Sequence, residues 1–244
     1  MKRRTFLFVP FALAAQPAAR VEVVWIKAKT IPEEFARESV VFPRAYTCCP
    51  ETGRARRALE TGRFPHTARE GVLPPISLPI TIMTAESGDE DGSPFERSIR
   101  VPLAIRWPGR LVPRVADDVL ISHADVLPTL LSWAGRALPP ELQGRDLSGL
   151  IASRRGETPD SIYVEGKLGQ KDEWRVVVRG FDKLVFNVQE EATHLFNLAD
   201  DPGEENNLVA GREHELMRDS MLALARRWRR TLGDGVDPSG LRLR

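Results

Sequence analysis

The chain has 244 residues, of which 42% are hydrophobic and 28% are charged. This composition is ordinary for a soluble globular protein, and the length allows one sizeable α/β domain with a smaller appendage. The 35 basic and 34 acidic side chains give a net charge of +1, so the overall charge does not favour nucleic acid as a partner.

The N-terminus has the layout of an export signal. Three basic residues at positions 2–4 precede a charge-free, largely apolar stretch over 5–19. This stretch is shorter than the about 20 apolar residues that a membrane-spanning helix needs, and Pro10 interrupts it. We therefore predict a signal peptide over 1–19, an exported protein that is periplasmic or extracellular, and no stable membrane span.

The next part of the chain predicts strands that alternate with helices. Short apolar runs typical of buried strands occur at 21–26, 40–46, 80–83, 102–107 and 119–123. Helices are predicted at 54–61, with Thr52 as N-cap and Gly62 as the end, and at 124–134. This alternation favours a mostly parallel sheet with flanking helices, so we predict an α/β core over 20–149.

Beyond about residue 149 the pattern becomes antiparallel. Strand-like runs at 175–179 and 183–188 flank a Gly-Phe-Asp hairpin signal, and a third run covers 194–198. Residues 213–232 carry an apolar stripe at helical spacing beside many arginines, which we interpret as a solvated helix face and not as a nucleic-acid surface. We predict a small antiparallel subdomain with a terminal helix over 150–232, followed by a tail over 233–244.

Three stretches resemble the sulfatase family, in the family's own order. Residues 45–66, AYTCCPETGRARRALETGRFPH, resemble the signature C-x-P-S-R-x-x-L-x-T-G-R. Residues 93–110, SPFERSIRVPLAIRWPGR, are similar to the later core, and residues 183–208, KLVFNVQEEATHLFNLADDPGEENNL, to the closing motif. The resemblance implies an alkaline-phosphatase-like fold. The segment between His66 and Leu78 is too brief for the family's middle block, which indicates a shortened member.

The resemblance also implies a chemistry, the hydrolysis of sulfate esters. In the family, a cysteine oxidised to formylglycine attacks sulfur as its hydrate, and calcium held by Asp and Asn or Gln side chains supports it. Lys, Arg and His side chains complete the anion pocket. Calcium is therefore the family's cofactor, and a sulfate ester or another anionic small molecule is the expected ligand.

The register of the signature places a threonine at the nucleophile position. Counting back from the matching L-x-T-G-R stretch, Arg56 falls on the motif arginine and Thr52 on the modified cysteine. Cys48 begins an alternative C-x-P, but its spacing to the rest of the motif is wrong by four residues. Thr52 is either a hydroxyl nucleophile or a helix N-cap. Arg56 either binds an oxyanion or forms a surface salt bridge.

The family's metal ligands are replaced as well. The places of the paired aspartates after the first strand hold Lys29 and Thr30. At about 4 Å and an effective dielectric of about 20, a lysine repels a divalent ion by roughly 8 kcal/mol. The later ligand turn is matched by Glu86-Ser87-Gly88, which leaves Glu86 as a vestigial metal ligand. We therefore expect no cofactor in this chain.

Two functional hypotheses follow. The chain is a sulfuric ester hydrolase by descent with lost or much reduced activity, or it is a non-catalytic pseudoenzyme or internally deleted remnant that at most binds anions. In the second case Lys27, Lys29 and Arg56 would surround a helix N-terminus and hold sulfate or phosphate. Loss of interior strands leaves unpaired sheet edges, which predicts self-association.

Overall fold

The computed structural model describes residues 23–68, 76, 78–88 and 91–235, which form an α/β fold. The predicted signal peptide and most of the predicted tail lie outside the described residues. The strands are β1 Val24–Lys27, β2 Val40–Val41, β3 Ala45–Tyr46, β4 Thr81–Thr84, β5 Arg100–Val101, β6 Leu103–Arg106, β7 Arg114–Val115, β8 Ile121–Ser122, β9 Ser161–Gly166, β10 Trp174–Arg179, β11 Asp182–Asn187 and β12 Ala192–Asn197. The helices are α1 Glu33–Ala36, α2 Thr52–Thr61, α3 Glu96–Ile99, α4 His123–Trp133, α5 Ser148–Ser153 and α6 Glu215–Leu232. Within the described ranges, no helix has the length and hydrophobicity that crossing a membrane requires.

The central sheet has five strands in the order β1-β4-β6-β2-β7. β1 pairs with β4 and β2 with β7 in parallel, whereas β6 is antiparallel to both of its neighbours. The α/β class is confirmed, but this sheet is mixed and not mostly parallel. An apolar run predicts a strand but not the direction in which it pairs with its neighbours, so this difference was not visible in the sequence.

The predicted strand at 40–46 is two strands in different sheets. β2 lies in the central sheet, and β3 lies between β5 and β8 in a three-stranded sheet. Pro43 separates them, and a proline cannot donate to a strand ladder, so the pairing changes partner there.

Helix α2 carries the signature and packs against α4. Its inward face presents Ala55, Ala58 and Leu59, and it ends at Gly62 in the left-handed conformation (φ 64°), as expected. The expected N-cap is wrong by one residue. Glu51 has the extended backbone of the N-cap, and Thr52 is the first helical residue.

The C-terminal part is an antiparallel sheet in the order β12-β11-β10-β9, with α6 packed against it. Met221, Leu224 and Ala225 form the buried side of α6. β9 was not predicted from sequence. It is buried at all six positions, but its apolar run of Ile162, Tyr163 and Val164 is short and lies between Ser161 and Glu165.

A buried ion cluster joins this sheet to the central part of the chain. Lys183 on β11 is 0% exposed, and its Nζ lies 2.6 Å from Oε1 of Glu204 and 3.2 Å from Oε1 of Glu96. Tyr46 donates to Oε2 of Glu96 at 3.0 Å, and the backbone N–H of Glu96 donates to Oε2 of Glu204 at 2.6 Å. One lysine therefore fixes α3, β3 and the loop after β12 to β11.

A second buried cluster fixes the end of α6. Nδ1 of His66 is hydrogen-bonded to Glu165, and its Nε2 lies 3.1 Å from the carbonyl oxygen of Leu232. Both ring nitrogens face acceptors, so the imidazolium form satisfies the site best. Burial lowers the pKa of His66, but the hydrogen bond and charge of Glu165 outweigh it and raise the pKa above 6.5. Beside it, Arg175 donates to the carboxylate of Asp234 at 2.7 and 2.8 Å.

We expect Lys183→Ala to lower the free energy of unfolding by about 3–5 kcal/mol, because it leaves buried carboxylates without a counter-charge. Urea denaturation measures this change. Lys171→Ala, at an exposed lysine, is the matched control and should change stability by less than about 0.5 kcal/mol. An equally small loss of stability in both variants would show that the Lys183 cluster does not hold the C-terminal sheet to the central part of the chain.

We expect the stability to fall as the pH rises above neutrality, through the raised pKa of His66. Protonated His66 stabilises the fold fully below its unfolded pKa of about 6.5, and this contribution disappears above the higher folded pKa. Thermal melts over this pH range measure the effect in the native chain and in His66→Gln, which should lack it. His214→Gln, at a half-exposed histidine, should keep it. Identical pH profiles for the native chain and His66→Gln would contradict the assignment.

Candidate functional site

A cleft of about 370 Å³ lies between the edge of the central sheet and helix α2. One part of its lining is apolar and the other is charged. The apolar residues are Trp25, Ile26 and Leu59, and the charged residues are Lys27, Arg56, Glu60 and Glu86. The cleft can therefore hold a small molecule that has both an apolar part and a charged group.

Parallel pairing of β1 and β4 brings two of the charged residues together. Lys27 is in register with Thr84 at the end of β4, and Glu86 follows two residues later. Nζ of Lys27 lies 3.7 Å from Oε1 of Glu86. Oε2 of Glu86 is buried and has no hydrogen-bond partner in the described part of the chain. The positive charge beside the carboxylate of Glu86 is thus the ammonium group of Lys27.

Arg56 faces the cleft from α2. Its Nε donates to Oε1 of Glu60 at 2.8 Å, one helical turn further on. Within the described ranges, its two terminal amino groups have no hydrogen-bond partner, and the side chain is 67% exposed. Glu60 therefore orients the guanidinium and leaves its outer fork open, which is the geometry that binds an oxyanion with two hydrogen bonds.

The two other site residues expected from sequence lie apart from this group. Thr52 is half-buried and shares a helix stripe with Arg56, but it does not line the cleft. Lys29 lines a different cleft of about 520 Å³, together with Arg97 and Arg100. The structure brings together Lys27, Arg56 and Glu86, and it does not assemble Lys29 with Arg56.

Glu51 is the N-cap residue of α2, and its carboxylate does not cap the helix but turns towards Lys167. Oε1 of Glu51 accepts a hydrogen bond from the backbone N–H of Lys167 at 2.6 Å, and Oε2 is buried without a hydrogen-bond partner among the described residues.

Cys48, the alternative cysteine of the signature, lies in the core. It is 0% exposed, and its Sγ lies 3.3 Å from Oγ of Ser122. Burial raises the pKa of its thiol to about 12, so the thiol stays protonated at neutral pH. His123 is also fully buried, and burial lowers its pKa to about 4. Both residues belong to the core.

The residues present do not fit the calcium ion that the resemblance implies. Calcium takes about six to eight oxygen ligands, with carboxylates prominent among them. Glu86 contributes one carboxylate, and Lys27 adds a positive charge beside it. Lys29, at the place of an expected aspartate, lines another cleft.

Another group in the described chain has metal-binding side chains, namely His66, Glu165 and Asp234, whose ligand atoms lie within 4.8 Å of one another. These groups already satisfy each other and their neighbours. Glu165 accepts from His66, and Asp234 is held by Arg175. His66 and Arg175 supply the positive charges beside Glu165 and Asp234. The cluster is therefore an internal ion network.

Sequence reasoning did not assign five residues of the cleft to a site, namely Trp25, Ile26, Leu59, Glu60 and Thr84. Glu60 was detectable, because Arg56 and Glu60 are four residues apart on a helix that the sequence predicted. Trp25 was assigned only to a buried strand. Its position in a cleft wall depends on β1 being the last strand of the sheet, and strand order is not visible in a local pattern.

Comparisons with known proteins agree with this architecture. The family model of the N-sulphoglucosamine sulphohydrolase C-terminal region matches residues 93–230. An endo-4-O-sulfatase of Bacteroides thetaiotaomicron is 28% identical over 157 residues, which are 56% of this chain and 31% of that protein. An arylsulfatase of Clostridium perfringens is 34% identical over 128 residues, which are 51% of this chain and 26% of that protein. The chain thus spans about a quarter to a third of the length of these curated relatives.

Solved structures show the same fold. A 2-O GAG sulfatase has a TM-score of 0.58 and 22% identity, over 64% of this chain and 37% of that one. A phosphonate monoester hydrolase of Agrobacterium radiobacter has a TM-score of 0.53 and 23% identity, over 68% of this chain and 39% of that one. The fold is alkaline-phosphatase-like. The family model covers more than half of the chain, and the chain therefore belongs to the sulfatase family.

Proposed function

We propose that this sulfatase-family protein recognises sulfate esters or similar anionic small molecules in the cleft of Arg56 and has lost their hydrolysis. The observation that carries the proposal is the pairing of Lys27 with Glu86 at 3.7 Å, next to an Arg56 whose outer fork is open. The pairing of Lys27 with Glu86 opposes metal-assisted chemistry, and the open fork of Arg56 favours anion binding.

The lining of the cleft supports an organic sulfate over inorganic sulfate. Arg56 and Lys27 supply positive charge for the sulfate group, and Trp25 and Leu59 offer apolar surface for an aryl group or a sugar ring. A structurally similar protein, with a TM-score of 0.57 and 18% identity, was solved with its substrate D-glucosamine-2-N,6-O-disulfate. This likeness supports a sulfated sugar as one ligand class to test.

Loss of hydrolysis follows from the nucleophile position and its surroundings. Thr52 carries a hydroxyl where the family oxidises a cysteine, and a hydroxyl needs an adjacent base or a metal ion to become an effective nucleophile. The two acidic residues of the cleft, Glu86 and Glu60, are paired with Lys27 and Arg56. The alternative function, a much reduced sulfuric ester hydrolase, requires an activation of Thr52 by groups outside this cleft.

The relatives also inform the place of action. An extracellular sulfatase homologue of Drosophila melanogaster is 36% identical over 76 residues, which are 30% of this chain and 7% of that protein. Together with the basic and apolar N-terminal sequence, this supports an exported protein that meets its ligands outside the cytoplasm.

We expect the chain to bind an aryl sulfate in isothermal titration, and Arg56→Ala to weaken binding about tenfold or more. The removed interaction is a charge-assisted pair of hydrogen bonds, with a contribution of about 1.5–3 kcal/mol. Arg230→Ala, at an exposed arginine of α6 far along the chain, is the matched control and should leave the affinity unchanged. Equal affinity for the native chain and Arg56→Ala would place binding elsewhere.

We expect no release of sulfate when the native chain is incubated with calcium and an aryl sulfate, because neither an activated nucleophile nor a metal cage is present at this site. The comparison is a variant with Thr52→Cys, Arg54→Pro, Lys29→Asp and Thr30→Asp, which restores the motif cysteine and proline and is assayed after exposure to the formylglycine-generating enzyme. Sulfate release by the native chain would overturn the loss of hydrolysis, without any bearing on binding by Arg56.

A further inference from the structure

The cleft of about 520 Å³ that Lys29 lines is separate from the cleft of Arg56, and the two share no lining residue. It lies beside the end of β2 and the start of β6. Much of its wall is apolar, with contributions from Ile31, Val41, Phe42 and Leu103. Four charged side chains complete the lining, and their partners within the chain decide what the cleft can bind.

Two of the charged side chains are engaged within the chain. Nε and one terminal amino group of Arg97 donate to Oδ2 of Asp91, at 3.2 and 2.9 Å. Oε1 of Glu96 lies 3.2 Å from Nζ of Lys183, and its Oε2 accepts from Tyr46 at 3.0 Å. Both side chains therefore have partners of their own before a ligand arrives.

The other two charged side chains, Lys29 and Arg100, have no acidic partner within the described ranges. Nε of Arg100 donates to the carbonyl oxygen of Pro43 at 2.7 Å, and this bond fixes the guanidinium at the wall of the cleft. The terminal amino groups of Arg100 have no hydrogen-bond partner among the described residues, so its outer fork is open.

The wider charge balance around the cleft is positive. Arg44, one residue after the lining, has no acidic partner in the described part of the chain, and its guanidinium lies 4.8 Å from the ring centroid of Phe181. Lys183, Glu96 and Glu204 together leave one negative charge. Three basic side chains without acidic partners outweigh it, so the cleft attracts anions.

We propose that this cleft is a second ligand site and binds a phosphate monoester with an apolar organic group, through Lys29 and Arg100. A phosphate monoester carries about −1.5 to −2 charge at pH 7, more than a singly charged sulfate ester. The open fork of Arg100 fits two phosphate oxygens, and the ammonium of Lys29 adds a point charge. The apolar wall covers the organic group. Two basic side chains without acidic partners therefore favour phosphate here, whereas both basic side chains of the Arg56 cleft are paired with acids.

The test is calorimetric titration of the 244-residue chain carrying Arg56→Ala, which removes the anion-binding group of the other cleft. This chain should bind phenyl phosphate, and more tightly than phenyl sulfate. Adding either Lys29→Ala or Arg100→Ala should weaken phenyl phosphate binding about tenfold or more, because a charge-assisted contact is lost. Lys171→Ala, at an exposed lysine, is the matched control and should leave the affinity unchanged. Circular dichroism checks the fold of Arg100→Ala, which also loses its bond to Pro43, whereas Lys29→Ala breaks no bond within the described ranges.

Absence of binding heat at millimolar phenyl phosphate in Arg56→Ala would overturn the second site, whatever the native chain does with an aryl sulfate. Unchanged affinity after Lys29→Ala and Arg100→Ala would also overturn it, because the phosphate would then lie elsewhere. Tighter binding of phenyl sulfate than of phenyl phosphate would overturn the ligand class. The effect of Arg56→Ala on aryl sulfate binding tests the other cleft, so the two proposals can fail independently.

Discussion

The contact between Lys27 and Glu86 is the constraint on which the site depends. Parallel pairing of β1 and β4 fixes the two residues at one end of the sheet, with the ammonium nitrogen 3.7 Å from a carboxylate oxygen. A carboxylate that has a lysine beside it can bind a divalent ion only after the lysine moves away or loses its proton, and both changes oppose binding. The same lysine then adds positive charge to the cleft in which Arg56 presents its open fork. The two basic side chains of the cleft, Lys27 and Arg56, are thus each paired with an acidic one, Glu86 and Glu60.

Buried ion pairs join the C-terminal sheet and helix α6 to the central part of the chain. Lys183 fixes α3 and β3 to the C-terminal sheet, and His66 fixes the end of α6 to β9. Both clusters join segments that are far apart in sequence. In this chain, which spans about a quarter to a third of the length of its curated relatives, a buried apolar cluster also joins helices α2 and α4 to the C-terminal sheet and α6.

The sequence predicted those features whose physics is local. Helix α2 and its end at Gly62 follow from apolar spacing and from the left-handed backbone that glycine adopts easily. The hairpin of β10 and β11 follows from two apolar runs around a short turn. Family membership was visible because the matching motifs are themselves contiguous in sequence.

Features that depend on distant contacts were not predicted. β9 carries Glu165 because His66, 99 residues away, supplies its hydrogen bond, so a strand with a buried charge did not have a strand's apolar pattern. Lys29 lies two residues past the end of β1, and its placement in a separate cleft depends on the path of the chain after that strand. The pairing of Lys27 with Glu86 depends on which strand lies beside β1, which a single sequence does not reveal.

Calcium titration of the native chain, followed by calorimetry and by thermal melting, tests the central claim most directly. The pairing of Lys27 with Glu86 predicts no binding heat and no rise in melting temperature at millimolar calcium. Saturable binding that stabilises the chain and disappears in Glu86→Gln would show that the carboxylate holds a metal ion despite the lysine, and would contradict this account.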